Sequence, residues 1–155
     1  MKEFLNTLML NNWVDYGDFR TRVGAGLLKV LAYNEEGSEI DVKPVLLTRS
    51  MIERNGWKLL STSDSLEDVY GKKVQEGRDN STYSVSIHVS NRKDREGKVV
   101  QVWVFKDYPQ KAKNYKEYVA ALSHRLDHED IYVHTFQNLL NLVGLKDTSE
   151  EFNIM

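Results

Sequence analysis

Tyr83-Ser84-Val85-Ser86-Ile87-His88-Val89-Ser90 is the stretch whose reading decides the fold. Apolar Tyr83, Val85, Ile87 and Val89 alternate with polar Ser84, Ser86, His88 and Ser90. A β-strand turns successive side chains to opposite faces, so this period of two predicts a half-buried strand with its hydroxyls and imidazole on the wet side. Residues 99–105 follow with apolar groups on both faces, which predicts a central strand with Trp103 and Phe105 in the core. Between the two, 91–98 is polar and closes on Glu96-Gly97, the composition of a hairpin loop.

Outward toward the C-terminus, Tyr115, Tyr118, Val119, Leu122 and Leu126 fall at helical spacing and predict an amphipathic helix. Residues 131–133 read as a further strand. Residues 136–143 read as a closing helix ended by Gly144. Toward the N-terminus, 61–82 is rich in Ser, Gly and Asp and reads as a loop-rich seam, with a short helix over 66–70 capped by Asp64 or Ser65. Before it, 8–14, 22–32 and 39–42 read as short strands separated by turns at 15–18 and 34–37, a small curled sheet of SH3-like type. Thr48 and Gly56 bracket a two-turn helix. The fold class expected is α+β: a small N-terminal curled β-unit, then a mixed sheet with one or two flanking helices. Its parts are 1–60 (β-unit and short helix), 61–82 (seam) and 83–155 (α+β part), with the first and last forming one compact unit.

The 155 residues make one ordinary domain or two very small ones, and 41% apolar is enough for a packed core. Lys and Arg total 21 against 23 Asp and Glu, a net charge of −2 that excludes a polybasic binder and an acidic disordered tail. With no cysteine there is no disulfide, thiolate metal site, cysteine nucleophile or iron–sulfur cluster. Glu3, Asn6 and Thr7 break any signal-type apolar stretch, and no run approaches the roughly 20 apolar residues of a membrane span. A cytoplasmic protein is expected, with no membrane partner.

Three blocks carry a resemblance. Leu8-Met9-Leu10-Asn11-Asn12-Trp13-Val14 resembles an opening Leu-Arg-Ile-Gly-Asn-Trp-Val; Pro44-Val45-Leu46-Leu47-Thr48, running on to Asn55-Gly56-Trp57, is similar to a Pro-Ile-Pro-Leu-Thr block closing on Gly-Phe. Tyr132-Val133-His134-Thr135-Phe136-Gln137-Asn138-Leu139 is similar to Tyr-Val-His-Gln-Leu-Gln-Asn-Leu. In that order they resemble a family of small uncharacterised proteins of Bacteroides-type gut bacteria and their phages or mobile elements. The resemblance covers about half the chain. It implies a bacterial or phage origin and a shared fold, and brings no catalytic residues. Asn11 stands where that family has Gly, and Asn tolerates a positive φ. Arg49-Ser50 replaces an acidic pair in the first turn of a helix, giving up favourable charge at the positive end of its dipole.

The side-chain constellations are mostly bland. Gly24-Ala25-Gly26-Leu27-Leu28-Lys29 meets neither the dinucleotide nor the P-loop spacing, and two glycines in a bent strand explain it. His124 and His128 fall at i, i+4 of the expected helix, a zinc-binding spacing, but Arg125 stands where a zincin has its Glu. A metal-dependent enzyme built on His124, His128 and His134 is therefore the third reading. His134 sits where a strand turns into the last helix. Either it or Thr135 caps that helix, or His134, Gln137 and Asn138 together contact a partner. Residues 92–116 carry a net of five positive charges and 117–155 five negative. Lys106, Lys111, Lys113 and Lys116 with Tyr108 and Tyr115 are the mixture that phosphate contacts and base stacking use. No nucleophile elbow or paired-carboxylate motif appears. The expected function is a non-enzymatic binding or adaptor module, without cofactor, whose partner is a protein or a second copy of the chain. A nucleic-acid binder using 92–116 is the alternative.

Overall fold

The computed structural model describes residues 2–33, 42–62, 66–72, 75–106, 113–128, 130–145 and 152–155. These hold two antiparallel sheets and five helices, an α+β fold. Helix α1 (Lys2–Thr7) precedes strands β1 (Trp13–Tyr16) and β2 (Phe19–Arg22), helix α2 (Ala25–Tyr33) and strand β3 (Val42–Pro44). The three strands form a small sheet in the order β2-β1-β3. Helix α3 (Arg49–Arg54) leads to β4 (Lys58–Thr62), β5 (Glu67–Gly71), β6 (Gln75–Glu76), β7 (Thr82–Ser90) and β8 (Val99–Lys106). Helix α4 (Tyr115–Ala120), strand β9 (Leu122–Asp127) and helix α5 (Val133–Val143) complete the order. The larger sheet runs β4-β5-β7-β8-β9, with β6 beside β7. All its pairings are antiparallel where a mixed sheet was expected. The connections from β4 to β5 and from β7 to β8 are too short for a crossover.

The inner face of the larger sheet carries the apolar half of the expected alternation, but of the polar half only Ser86 and His88 are partly open to water, Ser84 and Ser90 being buried. Tyr83, Val85, Ile87 and Val89 are buried, joined by Tyr70, Val102 and Val104. Helix α5 lays Phe136, Leu139, Leu140 and Val143 onto this face, and α3 adds Met51 and Ile52. Trp57 and Phe152 pack edge-on to Phe136 at 5.5 and 5.4 Å, so the C-terminal residues belong to the core. Each such side chain contributes about 1.5–3 kcal/mol by leaving water. A second, smaller cluster of Leu8, Val14, Val23 and Val42 lies under Phe4, Leu5, Leu27 and Leu28 of α1 and α2. Strand β1 feeds both, because Trp13 and Val14 are neighbours and face opposite ways.

Several local expectations are corrected. Residues 22–32 end β2 and then form α2; Ala, Leu and Lys favour a helix, and Leu27 and Leu28 reach the smaller cluster. The stretch 66–70, expected as a short helix, is strand in β5, because it pairs with β4 on one side and β7 on the other. The helix expected over 115–126 stops at Ala120. Residues 122–127 instead alternate half-buried and exposed along β8, whose open edge they close. Other expectations match. Thr48 is the N-cap residue of α3, although its side chain makes no capping bond, Gly56 follows at φ 92°, and Gly144 ends α5 at φ 70°. Gly97 sits in the 91–98 loop at φ 81°. The turn at 34–37, residues 39–41, the caps Asp64 and Ser65, and Tyr108 and Lys111 lie outside the described residues.

Candidate functional site

Helix α5 begins at Val133, with Tyr132 as an extended N-cap residue that makes no side-chain capping bond, so neither His134 nor Thr135 caps it. Its start is seated on 44–48 by backbone bonds, Val133 N to Val45 O at 2.7 Å and Leu47 N to Ile131 O at 2.9 Å. Gln137 is wholly buried. Its Oε1 accepts from Trp13 N at 2.8 Å and its Nε2 donates to Asn11 O at 3.1 Å. Asn138 accepts from Asn12 Nδ2 at 2.9 Å and donates to Thr7 O at 2.9 Å. Asn12 also accepts from Met9 N at 2.8 Å. Asn11 takes φ 70°, the conformation for which Asn is a tolerable substitute for Gly. Gln137 and Asn138 thus tie α5 to the turn before β1.

His134 is 5% exposed, edge-on to Phe4 at 4.8 Å and parallel to Tyr132 at 6.0 Å. Its Nε2 lies 3.4 Å from Thr135 Oγ1, and its buried Nδ1 has no hydrogen-bond partner. Burial pulls its pKa from 6.5 down to about 4, so the imidazole is neutral near pH 7. A buried polar atom left unpaired costs about 1–3 kcal/mol. A cavity of about 460 Å³ adjoins it, walled by Phe4, Thr7, Pro44, Tyr132, Thr135 and Asn138 as well. Parts of the blocks 8–14, 44–57 and 132–139 meet here: the bonds from 132–139 to the first block span 124 and 126 residues of sequence, and Val133 bonds Val45 of the second.

The outer face of the larger sheet carries a different arrangement. Glu67 on β5, His88 on β7, Trp103 on β8 and Arg125 on β9 form a diagonal row across four strands. Trp103 pairs directly with Arg125, while His88 stands opposite Val69 and Gln101 and meets Glu67 and Trp103 on the diagonal. His88 Nδ1 is 3.1 Å from Glu67 Oε2, and its ring stacks with Trp103 at 5.4 Å. The Arg125 guanidinium lies 4.8 Å from the indole centre and bonds Asp127 at 2.9 Å. Trp103 Nε1 donates to Gln101 at 2.8 Å, which leaves the indole half-buried with its polar edge satisfied. A cation over an indole is worth about 0.5–1 kcal/mol at an exposed site. A polar cleft of about 320 Å³ opens beside the row, between Glu67, Gln101 and Asp127 and the residues Arg92, Arg95 and His128. Phe105 is fully buried as expected, but Trp103 is a face residue and not core. The signal was present: Val102 and Val104 claim the inner face, which sends 101 and 103 outward.

The basic aromatic stretch is partly neutralised. Arg95 and Lys98 approach Asp130 at 3.9 and 4.0 Å, and Lys106 approaches Asp79 at 3.5 Å. The Asp79 carboxyl is held below its usual range, first by the Ser81 backbone N–H, then by the Tyr83 hydroxyl and Lys106. Lys113, Tyr115 and Lys116 stand exposed at α4, with Tyr115 79% exposed. The three histidines do not converge. His124 lies on strand β9, where the i, i+4 helical geometry is lost, and bonds Ser123 at 2.9 Å, while His134 is buried in α5. Among the described residues, no three His, Asp or Glu side chains are placed to hold a metal ion. Gly24 and Gly26 stand at the start of α2 in open space and shape no phosphate loop. None of the described helices is long and apolar enough to cross a membrane.

Searches against protein-family models, curated proteins and solved structures found no match to this chain.

Proposed function

We propose that this chain is a non-enzymatic binding or adaptor module that takes a protein partner on the outer face of its larger sheet. The observation that carries the reading is the stack of half-buried His88 and Trp103 with the exposed Arg125 over the indole. Trp and Arg dominate the energetics of protein interfaces, and here both are held in place before any partner arrives. Charge favours a protein over a nucleic acid. Phosphate recognition needs a cation excess, whereas Arg125 is paired with Asp127 and the nearby Arg95 and Lys98 with Asp130. His88 is hydrogen-bonded to Glu67 at 3.1 Å, which fixes the imidazole against the indole as part of the same docking face. The three resembling blocks support an origin in Bacteroides-type bacteria or their phages and mobile elements, with work in the bacterial cytoplasm. The N-terminal three-stranded unit, read as SH3-like, would offer further edges to the same partner or to a second copy.

A second reading is kept by one observation: Tyr115 stands almost fully out of the protein between Lys113 and Lys116. This is a stacking group flanked by phosphate-binding charges. Fluorescence polarisation with short single- and double-stranded DNA and RNA, at low and physiological salt, separates the two. Flat curves are expected. Saturable binding that falls with salt and vanishes on charge reversal at Lys113 and Lys116 would replace the protein reading with the nucleic-acid one.

A further inference from the structure

An edge strand presents a row of backbone N–H and C=O groups on which another strand can pair. Among the described residues β9 pairs with β8 alone, so its other side is such an edge. Its pairing with β8 is regular over four residues, from His124 opposite Val104 to Asp127 opposite Gln101. The far edge of the same sheet, β4, is broken mid-strand by a register shift between Leu59 and Ser61. Side chains then decide what the β9 edge accepts. When an antiparallel strand meets its own copy across a two-fold axis, residue i faces j, j faces i, and one residue faces itself. Centring on Arg125 or on Asp127 would set a charge against its own copy. Centring on His124 would set Arg125 opposite Ser123, the residue that the β8–β9 register skips. Centring on Leu126 sets Arg125 opposite Asp127 on both sides of the axis.

We propose that two copies of this chain join by their β9 edges, antiparallel and centred on Leu126, so that their larger sheets become one continuous sheet. Arg125 and Asp127 lie exposed on the same face and already bond within one copy at 2.9 Å. Across the axis each also faces the partner's opposite charge, so the four charges alternate in sign and like charges meet only on the diagonal. On the inner face Leu126, packed against the main core, meets the partner's Leu126. Opposite charges and apolar pairs directly across an antiparallel ladder stabilise it, and like charges oppose it. Pairing by edges leaves Trp103 of both copies on the open face, so the inference stands whether or not a protein docks there.

Sedimentation equilibrium of the full chain across concentration, with hydrogen exchange read over 124–128, tests this. The mass is expected to approach twice the 18.0 kDa of one chain, and exchange over 124–128 to slow as it does. Arg125→Asp and Asp127→Arg each set like charges opposite one another, and each is expected to weaken the dimer about tenfold. An equal mixture of the two variants restores opposite charges at both positions, and is expected to dimerise about tenfold more tightly than either alone. Circular dichroism checks that the variants fold; if one does not, the mass and exchange of the natural chain decide. A monomer at every concentration, or a dimer without slowed exchange over 124–128, would overturn the proposal. So would a dimer that both variants leave intact, or a mixture no tighter than its components.

Discussion

Two polar clusters of this molecule use similar side chains to opposite ends. At the start of α5, Asn12, Gln137 and Asn138 are buried or half-buried and their amides are closed on the chain's own backbone. On the outer sheet face, Glu67, His88, Arg125 and Asp127 are paired with one another around a half-buried indole, within reach of water. Burial makes the difference. A buried amide that loses its partner faces no substitute, whereas a surface ion pair exchanges readily with solvent. The first cluster therefore holds two parts of the fold together, and the contacts of the second exchange with solvent, as the proposed docking of a protein partner requires.

The comparison is broken most severely at Gln137. Gln137→Leu leaves Trp13 N–H and Asn11 C=O unpaired in the interior, and a loss of about 2–5 kcal/mol is expected in urea unfolding. Next comes acid. His134 has a depressed native pKa of about 4 against 6.5, so its contribution is complete above pH 6.5. As pH falls from 6.5 through 4 the unfolded chain takes up the proton first, and roughly 2–3 kcal/mol of stability is lost over that window. Urea midpoints across pH for the natural chain and His134→Phe check this, since the variant's curve lacks that window. Asn11→Val places a β-branched residue at φ 70° and is expected to cost about 1–2 kcal/mol, with Asn11→Gly within a few tenths of the natural chain. The smallest effect belongs to the outer face. Arg125→Ala removes an exposed pair and a stacked guanidinium, and a change below about 1 kcal/mol is expected in the same assay.

The sequence made the inner sheet face legible, because Tyr83 to Ser90 has one period and a strand is the element that satisfies it. It also made the ends of α3 and α5 legible through Gly56 and Gly144, which take the positive φ they were read for. Residues 22–32 and 115–126 were not legible. Short apolar runs fit helical and strand spacing alike, and tertiary pairing decides between them. For 122–127 that pairing was the open edge of β8. Arg49 shows a compensation invisible to local reading: the guanidinium is paired with Asp68 at 2.6 Å and with Tyr70 at 2.9 Å. Both partners lie on β5, where local sequence predicts a short helix over 66–70. Of the candidate site, His134 was singled out by its place at a helix start, while its burial and adjoining cavity came from Phe4 and Pro44, distant in sequence. The Trp103 row needed register across four strands, which no single segment carries.

In the proposed docking face Trp103 is the anchor, and Trp103→Ser is expected to leave the fold intact. Affinity capture from bacterial lysate with the natural chain and with folded Trp103→Ser as paired baits tests that directly. One defined protein retained at stoichiometric amount by the natural chain and lost by Trp103→Ser is the expected result. Equal retention of that protein by both baits, or retention of nucleic acid in its place, would contradict it.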